Sequence, residues 1–273
     1  TTTPWTLPSN TALCVGPKYD YVAVRTYNPY DGQKITAVVA EPLLYSIFNK
    51  KGEGVALDSY KAGDKVIPFE VVGKWKGTEL EGMRYEQLIP WVKPVECDEN
   101  GNWVEASAKG FRVILGDYVT TEDGTGIVHI APTFGADDAK VAKAAGVPSL
   151  FMINAKGETR PMVDFTGKYY TIEDCDATFV EHCVCTEAYG QHAGDYVKNA
   201  YAPQYNVNGA YNAEAAEKDE DLNIVICMEM KQAGEAFKIE KHVHNYPHCW
   251  RTDKPVLYYP LDSWFIRSTA AKE

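Results

Sequence analysis

The stretch GTGIVHIAPTFGADD, residues 124–138, joins a pattern typical of a strand to a pattern typical of a helix. Gly126 to Ala131 is a short apolar run typical of a strand. A helix is predicted from Ala136 to Ala145, because two acids open it and a glycine and a proline follow it. A strand that ends at His129 and a helix that begins near Asp137 would place an imidazole and two carboxylates around one loop.

Outward from this stretch, the first half of the chain alternates short β-rich runs with turn signals. These runs are Tyr21 to Thr26, Ile35 to Ala40, Val66 to Val72, Phe111 to Val119 and Gly126 to Ala131. Their spacing predicts a mainly β fold with peripheral helices, built on a mostly antiparallel, barrel-like core. A longer helix is predicted over Asp176 to Asn199, and the polar segment from Tyr201 to Asp221 is predicted to be a surface insertion.

The domain organisation predicted from the sequence is one domain over residues 1–245 and a closing segment over residues 246–273. The closing segment is rich in Trp, Tyr and Pro and has no clear period, which favours a connection over a core element. The chain starts at Thr1 without an initiator Met, so we expect it to be a fragment of a longer protein.

Composition narrows the class of protein and its compartment. The chain has 273 residues and 45% hydrophobic content, and its apolar runs are far shorter than the roughly 20 residues of a membrane-spanning helix. We therefore expect a soluble globular protein with no membrane association. Seven scattered cysteines favour a reduced, cytoplasmic location over a secreted disulfide framework. A net charge of −11 lacks the basic footprint of an independent nucleic-acid binder, although a larger body could supply the phosphate contacts.

The N-terminal segment TTTPWTLPSN, residues 1–10, concentrates short hydrogen-bonding side chains on a proline-stiffened path. Such side chains can orient a water molecule and an ester. An ordinary polar turn is the alternative interpretation, and composition alone favours it, because Thr and Pro mark loops in any protein.

Asp137 and Asp138 also allow two interpretations. One carboxylate at the start of a helix is normally a cap or a partner of the helix dipole. Two in succession leave one free. A free carboxylate beside a cleft can anchor the ammonium group of a ligand through a charge-assisted hydrogen bond.

Both segments resemble the editing domain of isoleucyl-tRNA synthetases. TTTPWTLPSN resembles the threonine-rich peptide of that domain, and GTGIVHIAPTFGADD resembles its second active-site motif. Related valyl and leucyl enzymes carry a Thr-Thr-Arg-Pro type of opening, so Thr3 followed by Pro4 points to the isoleucine member. The resemblance continues through Phe237 to His242, Tyr246 to Arg251 and Ser263 to Ile266. It implies that residues 1–245 are the editing domain, a connective peptide insertion, and that residues 246–273 return towards a class I catalytic domain.

The resemblance implies post-transfer editing, in which the domain hydrolyses the ester of valine wrongly attached to tRNA(Ile). Asp138 would hold the α-ammonium group of the amino acid, and His129 would shape a pocket that rejects isoleucine. The residues that would position the ester carbonyl, the terminal ribose and the attacking water are Thr2, Thr3, Thr6 and Asn10, with Thr1 as a further substrate-binding residue. No Ser or Cys nucleophile with a His partner is evident, so we infer direct attack by an oriented water.

An editing site is needed because binding alone discriminates poorly between isoleucine and valine. Isoleucyl-tRNA synthetase is itself the established example: one missing methylene separates the two amino acids by only about 150-fold, so a second sieve is added. Exclusion of the larger side chain by steric clash completes the selection. An inactive module of the same fold that binds the tRNA end is the alternative, and the presence of every polar residue expected of a working site favours the enzyme over it. A free-standing deacylase is a further class, and the missing initiator Met and the segment that resembles the return into a synthetase catalytic domain argue against it.

No cofactor is expected in this chain. The His-Ile-Gly-His and Lys-Met-Ser-Lys-Ser types of signature are absent, so ATP and Mg would belong to a synthetic domain outside this sequence. The expected partners are the 3′ end of aminoacylated tRNA(Ile), the misattached valine and the rest of the parent synthetase. Two groups of possible ligands fall short of a zinc site in number and spacing, so no metal is predicted. They are His182, Cys183, Cys185 and His192, and then His242, His244, His248 and Cys249.

A loop is predicted over Leu80 to Leu88, after the run Trp75 to Glu79. It could cover a pocket or touch the tRNA end. A simple surface hairpin is an equally good interpretation, and the sequence leaves both open.

Overall fold

Short strands and helices alternate along residues 1–207, 210–241, 246–252, 254–260 and 264, the part of the chain that the computed structural model describes. The strands are β1 (Ala12–Val15), β2 (Asp20–Tyr27), β3 (Lys34–Ala40), β4 (Glu70–Lys76), β5 (Val95–Cys97), β6 (Trp103–Glu105), β7 (Arg112–Leu115), β8 (Ile127–Ile130), β9 (Met152–Ile153), β10 (Thr159–Arg160), β11 (Asn206–Val207) and β12 (Ala210–Tyr211). The helices are α1 (Leu44–Ile47), α2 (Gly77–Leu80), α3 (Ala136–Ala145), α4 (Ala177–Cys183), α5 (Thr186–Tyr189), α6 (Ala213–Ala216) and α7 (Leu222–Gln232). Short 3-10 helices connect them, among them Pro4–Ser9 near the N-terminus.

A three-stranded sheet in the order β7-β1-β8 carries the second motif. Strand β1 runs parallel to β7 and antiparallel to β8, with Leu13 opposite His129 and Ala12 opposite Ile130. Side chains alternate between the two faces of a strand. Ala12 and Ile130 therefore pack with Ala142 of α3, while Leu13 and His129 face the opposite side.

The second sheet, in the order β3-β2-β4, is antiparallel and packs against that opposite side. Tyr21 and Val24 are fully buried and share one core with Val113 of the first sheet. The Tyr21 hydroxyl accepts from the Gly16 N–H at 2.8 Å and donates to the Gly126 carbonyl at 2.7 Å. Gly16 follows β1 and Gly126 precedes β8, and since Val15 pairs with Ile127, the two bonds fix the second sheet to one end of the first.

The described residues do not form the predicted barrel. Strands and helices are mixed, both three-stranded sheets are open, and β1 pairs with β7 in parallel, contrary to the expected antiparallel core. A barrel closes only when enough tilted strands bring the two sheet edges together, and three strands are too few. The spacing of β-rich runs located strands but carried no information about which edges pair.

Helix α3 confirms the prediction from the sequence at both ends. It spans Ala136–Ala145, and Gly146 ends it at φ 66°, in the left-handed region that glycine adopts without steric conflict. Asp137 and Asp138 lie in its first turn, where a negative charge interacts favourably with the helix dipole. The helix therefore starts at the loop that follows β8.

The prediction of one helix over Asp176 to Asn199 is wrong. Helices α4 and α5 are separated by an extended residue, Val184, which pairs with Val92. The next residue, Cys185, donates its N–H to the Trp91 carbonyl at 2.8 Å. Pairing with a distant segment thus overrides the local helical pattern.

The N-terminal segment is anchored in the largest hydrophobic core through Trp5. This residue is buried, its N–H donates to Asn223 Oδ1 of α7 at 3.0 Å, and its carbonyl accepts from the Tyr169 hydroxyl at 2.5 Å. Its ring also meets Phe134 edge to face, with centroids 4.8 Å apart. Because Phe134 belongs to the loop between β8 and α3, this contact brings the two sequence motifs together.

Some predictions about domain organisation concern residues that are only partly described. The predicted boundary at residue 245 and the stretch Ser263 to Ile266, apart from Trp264, lie outside the described residues. The polar segment from Tyr201 to Asp221 contains β11, β12 and α6, and it buries a small apolar cluster of Ala202, Tyr205 and Ala216. Along the described ranges, no helix combines the length and the apolarity needed to cross a membrane.

Removal of the Tyr169 hydroxyl should loosen the anchor of the N-terminal segment. Tyr169→Phe leaves the buried Trp5 carbonyl without its donor, and we expect the free energy of unfolding to fall by about 1–3 kcal/mol. Tyr45→Phe is the matched control, since its exposed hydroxyl bonds Glu53 and should contribute less than about 0.5 kcal/mol. Urea unfolding measures both changes, and equal losses would contradict the anchor.

Candidate functional site

The threonine-rich segment forms the 3-10 helix Pro4–Ser9, which provides one side of the site. Thr3 is its N-cap, and Pro4 suits the first helical position because no N–H needs a partner there. Thr6 and Asn10 are only 7% and 5% exposed. Their polar side chains therefore need hydrogen-bond partners inside the protein.

His129 is the partner of both side chains. Its Nε2 lies 2.9 Å from Thr6 Oγ1, and its Nδ1 lies 3.0 Å from Asn10 Nδ2. Thr6 and Asn10 are 123 and 119 residues away from His129 along the chain. The structure therefore joins the two motifs through one imidazole ring on β8.

The direction of each hydrogen bond follows from the Asn10 side-chain amide. Its Nδ2 donates to the Ala12 carbonyl at 2.8 Å and its Oδ1 accepts from the Tyr85 hydroxyl at 2.5 Å, which distinguishes the nitrogen from the oxygen. The second hydrogen on Nδ2 is then donated to His129 Nδ1, which is nearer than the Ile130 carbonyl at 3.4 Å. The imidazole proton must lie on Nε2, from which it is donated to Thr6 Oγ1.

The imidazole of His129 is neutral, and neither of its nitrogens is free. Burial lowers the pKa of His129 to about 3, with a smaller contribution from the positive charge of the chain's N-terminus. A proton on Nδ1 would also oppose the Asn10 N–H, which acts in the same direction. The Thr6 Oγ1 hydrogen is used as well, since it is donated to the Thr3 carbonyl at 2.8 Å. His129 can therefore offer a ligand only its carbon edges and ring faces.

Thr1, Thr2 and Thr3 lead into this cluster from the protein surface. Thr1 and Thr2 are exposed and Thr3 is half-buried. The Thr3 N–H donates to Thr1 Oγ1 at 3.0 Å. Within the described residues, the hydroxyls of Thr2 and Thr3 make no hydrogen bond to the protein, so both are available to a ligand.

Asp138 is held where β8 ends. Its Oδ2 accepts from the Ala131 N–H at 2.9 Å, and its side chain folds over Gly135, where a Cβ would lie 3.0 Å from Asp138 Cγ. Burial raises the pKa of Asp138, the Ala131 bond opposes that rise, and the charge of Asp137 adds to it. This carboxyl group is therefore easier to protonate than an exposed one.

The predicted site residues are thus brought together to different degrees. Thr6, Asn10 and His129 are in direct contact. In the described part of the chain, Asp138 makes no hydrogen bond to any of these three; it accepts from the Ala131 N–H and lies on the α3 side of the sheet, the face opposite to His129. The common substrate-binding role of these residues stays a prediction.

Tyr85 is a member of the cluster that sequence reasoning missed. It lies in the loop predicted over Leu80 to Leu88, part of which runs along β7. There the Gly82 N–H donates to the Val113 carbonyl and the Tyr85 N–H donates to the Phe111 carbonyl. The only signal in the sequence was the proposed proximity of this loop to a pocket, and nothing distinguished Tyr85 within it.

Two of the possible metal ligands, His182 and His192, have other partners, and His182 Nδ1 lies 2.9 Å from the Thr178 carbonyl. His192 is bound by Glu229 at 3.1 Å and by Asp195 at 3.3 Å, and its ring stacks on Trp91. Across the described ranges, no group of three or more His, Cys, Asp or Glu side chains is arranged to hold a metal ion. His242 and His244 lie outside those ranges.

Comparison with known proteins relates the chain to one group of enzymes. Over its whole length it is 67% identical to isoleucine–tRNA ligase of Bacteroides thetaiotaomicron, 62% to that of Bacteroides fragilis and 57% to that of Porphyromonas gingivalis. It spans 23%, 22% and 22% of the length of these relatives. No family model matches the chain. A crystal structure of GlLeuRS-CP1 is 16% identical and covers 54% of this chain and 47% of that one, with a TM-score of 0.29, too low for a structural conclusion.

The two hydrogen bonds of His129 predict how it titrates. Nitrogen-15 NMR should show the tautomer protonated on Nε2 from neutral pH down to about pH 4, because the pKa lies at about 3. The unfolded chain binds this proton near pH 6.5, whereas the folded chain does not. The free energy of unfolding should therefore fall as the pH drops from about 6.5 towards 3, by up to about 1.4 kcal/mol per pH unit.

His129→Gln is the control for this pH dependence. Glutamine does not titrate, so the variant should lose stability less steeply than the wild type between about pH 6.5 and 4. An NMR midpoint for His129 near 6.5 would be incompatible with the hydrogen bonds to both ring nitrogens.

Proposed function

We propose that this chain, which is homologous over its whole length to one segment of the isoleucine–tRNA ligases, is the hydrolytic editing domain of such an enzyme. Its reaction would be post-transfer editing, the hydrolysis of the ester that joins valine to tRNA(Ile). The observation that carries the proposal is the cluster of Thr6, Asn10 and His129, which unites the threonine-rich segment with the second motif. Such a site needs a size filter, an anchor for the ammonium group and an oriented water.

His129 is the proposed size filter. Both ring nitrogens are occupied, so the ring acts on an aliphatic side chain by its shape. One methylene in a complementary pocket changes binding by only about 1–3 kcal/mol, whereas a clash with a rigid wall excludes the larger side chain more decisively. The two hydrogen bonds provide this rigidity because they prevent the ring from rotating.

Asp138 is proposed to bind the α-ammonium group of the esterified valine. Its carboxylate accepts one hydrogen bond from Ala131 and has capacity for more. An ammonium group would lower the raised pKa of Asp138 again, because the opposite charge stabilises the carboxylate. Every aminoacyl ester carries this ammonium group, so the anchor recognises the substrate class and leaves side-chain selection to His129.

Thr2 and Thr3 are proposed to orient the ester and the attacking water. Their hydroxyls are available, whereas Thr6 Oγ1 and both polar atoms of the Asn10 amide are already bonded. We therefore assign Thr6 and Asn10 to holding the shape of the site, with Thr1 as a flanking substrate contact. Water attacks the ester carbonyl directly, and positioning and polar stabilisation supply the catalysis.

The proposed substrate is the 3′ end of aminoacylated tRNA(Ile), and most phosphate contacts are assigned to the rest of the ligase. A chain with a net charge of −11 is poorly suited to bind a polyanion alone. ATP and Mg would serve aminoacylation in that remaining part of the enzyme. Hydrolysis by an oriented water requires no cofactor in this domain.

Asp138→Asn tests the ammonium anchor. Asparagine keeps an oxygen for the Ala131 N–H but removes the negative charge, so the fold should persist. We expect kcat/KM for valyl-tRNA(Ile) to fall by about 10–100-fold, which corresponds to one charge-assisted hydrogen bond. Asp137→Asn is the matched control, because this exposed acid lies in the same helical turn and should leave hydrolysis near the wild-type rate.

The deacylation assay uses this chain and a ligase chimaera. The chimaera carries the chain in place of the matching segment of the Bacteroides thetaiotaomicron enzyme, which restores the remaining tRNA contacts. If Asp138→Asn clears valyl-tRNA(Ile) as fast as the wild type, the anchor assignment is wrong. If neither wild-type form hydrolyses valyl-tRNA(Ile), the editing proposal itself is wrong.

A further inference from the structure

The hydroxyl of Tyr85 begins the chain of hydrogen bonds that runs through Asn10, His129 and Thr6 to the Thr3 carbonyl. It donates to Asn10 Oδ1 at 2.5 Å, and the Asn10 amide then donates to His129. Burial raises the pKa of Tyr85, so this hydroxyl stays protonated and remains a donor. The buried Asn10 oxygen would be unsatisfied without it, so Tyr85 holds the oxygen end of an amide whose nitrogen faces the Ala12 and Ile130 carbonyls.

Phe111 places Tyr85 beside Asn10. The Phe111 N–H donates to the Thr11 carbonyl at 2.7 Å, and its carbonyl accepts from the Tyr85 N–H at 3.0 Å. The rings of Phe111 and Tyr85 meet edge to face, with centroids 6.0 Å apart. The backbone of Phe111 has a φ of 52°, a left-handed conformation that few non-glycine residues adopt. Such strain persists only where surrounding contacts enforce it, and it is common at functional sites.

We infer that Tyr85 is a positioning residue that sets the selectivity of the site by fixing, through Asn10, the orientation of the His129 ring. This inference rests on the proposed editing function. Without the Tyr85 hydroxyl, the Asn10 amide is held on one side only, and the imidazole can tilt and exchange tautomers. A mobile His129 ring would exclude a larger side chain less well than a rigid one, because selection by size depends on the placement of the contacting atoms.

Tyr189 offers a matched comparison with a purely structural tyrosine. It is fully buried, and its hydroxyl donates to the Tyr170 carbonyl at 2.6 Å. Its place is the large core around Trp91 rather than the cluster around His129. Tyr189→Phe therefore removes the same chemical group and should lower stability without affecting selectivity.

The experiment compares the wild type, Tyr85→Phe and Tyr189→Phe with two readouts. One is the nitrogen-15 NMR spectrum of the His129 imidazole, and the other is the ratio of isoleucyl-tRNA(Ile) to valyl-tRNA(Ile) hydrolysis in the ligase chimaera. For Tyr85→Phe we expect the single Nε2-protonated tautomer to be lost and the ratio to rise about 3–10-fold, the effect of one hydrogen bond. The rate on valyl-tRNA(Ile) should change less than about threefold, because Tyr85 does not contact the ester.

The possible outcomes separate this inference from the proposed function. Unchanged NMR signals and an unchanged ratio in folded Tyr85→Phe would overturn the role of Tyr85. If the wild type does not hydrolyse valyl-tRNA(Ile), the editing proposal fails, and the NMR readout alone decides whether Tyr85 positions His129. If Tyr85→Phe does not fold, 3-fluorotyrosine at position 85 replaces it. The hydroxyl of 3-fluorotyrosine is more acidic and therefore a stronger hydrogen-bond donor, so it should shift the NMR signals of the Asn10 amide and the His129 imidazole. The absence of a shift would overturn the inference.

Discussion

The hydrogen bonds from the two ring nitrogens of His129 to Thr6 and Asn10 are the interaction on which the rest of the site depends. Their geometry follows from strand register. Pairing of β1 with β8 sets Leu13 opposite His129, and the same ladder continues to Thr11, whose N–H donates to the Ile130 carbonyl at 2.9 Å. Asn10 directly precedes Thr11, so this pairing places its side chain next to the His129 ring. A shift of the register by one residue would turn His129 towards α3 and break both bonds. The same strand register therefore determines both the fold and the geometry of the site.

The proposed editing function makes two physical demands, and the proposal assigns them to different residues. A size filter needs rigidity, and His129 has it because both nitrogens are bonded and the ring is neutral. An ammonium anchor needs a negative charge, and the proposal assigns this role to Asp138 in the first turn of α3. The loop between β8 and α3 connects the two, and the contact between Trp5 and Phe134 fixes that loop to the threonine-rich segment. If both assignments hold, substitution of one residue should have a limited effect on the role of the other.

Local signals in the sequence predicted local structure, and tertiary pairing decided the rest. Helix α3 was predictable at both ends because its opening acids and its closing Gly146 act within a few residues. The break at Val184 was not, because it results from pairing with Val92. The prediction of a barrel was wrong for the same reason, since the spacing of strands along the sequence does not specify which strand edges pair. Among the site residues, the resemblance pointed to His129 and Asn10, whereas Tyr85 reaches Asn10 across 75 residues and no motif marks it.

The central claim is that His129 selects by shape, and the most direct measurement is hydrolysis of valyl-tRNA(Ile) and isoleucyl-tRNA(Ile) by His129→Ala and the wild type, both in the ligase chimaera. We expect the wild type to hydrolyse the valyl ester at least about tenfold faster than the isoleucyl ester, as a second sieve requires. In His129→Ala the larger pocket should admit isoleucine, so the preference should fall towards one while hydrolysis of the valyl ester persists. A variant that hydrolyses the valyl ester and still rejects the isoleucyl ester as strongly as the wild type would contradict the claim.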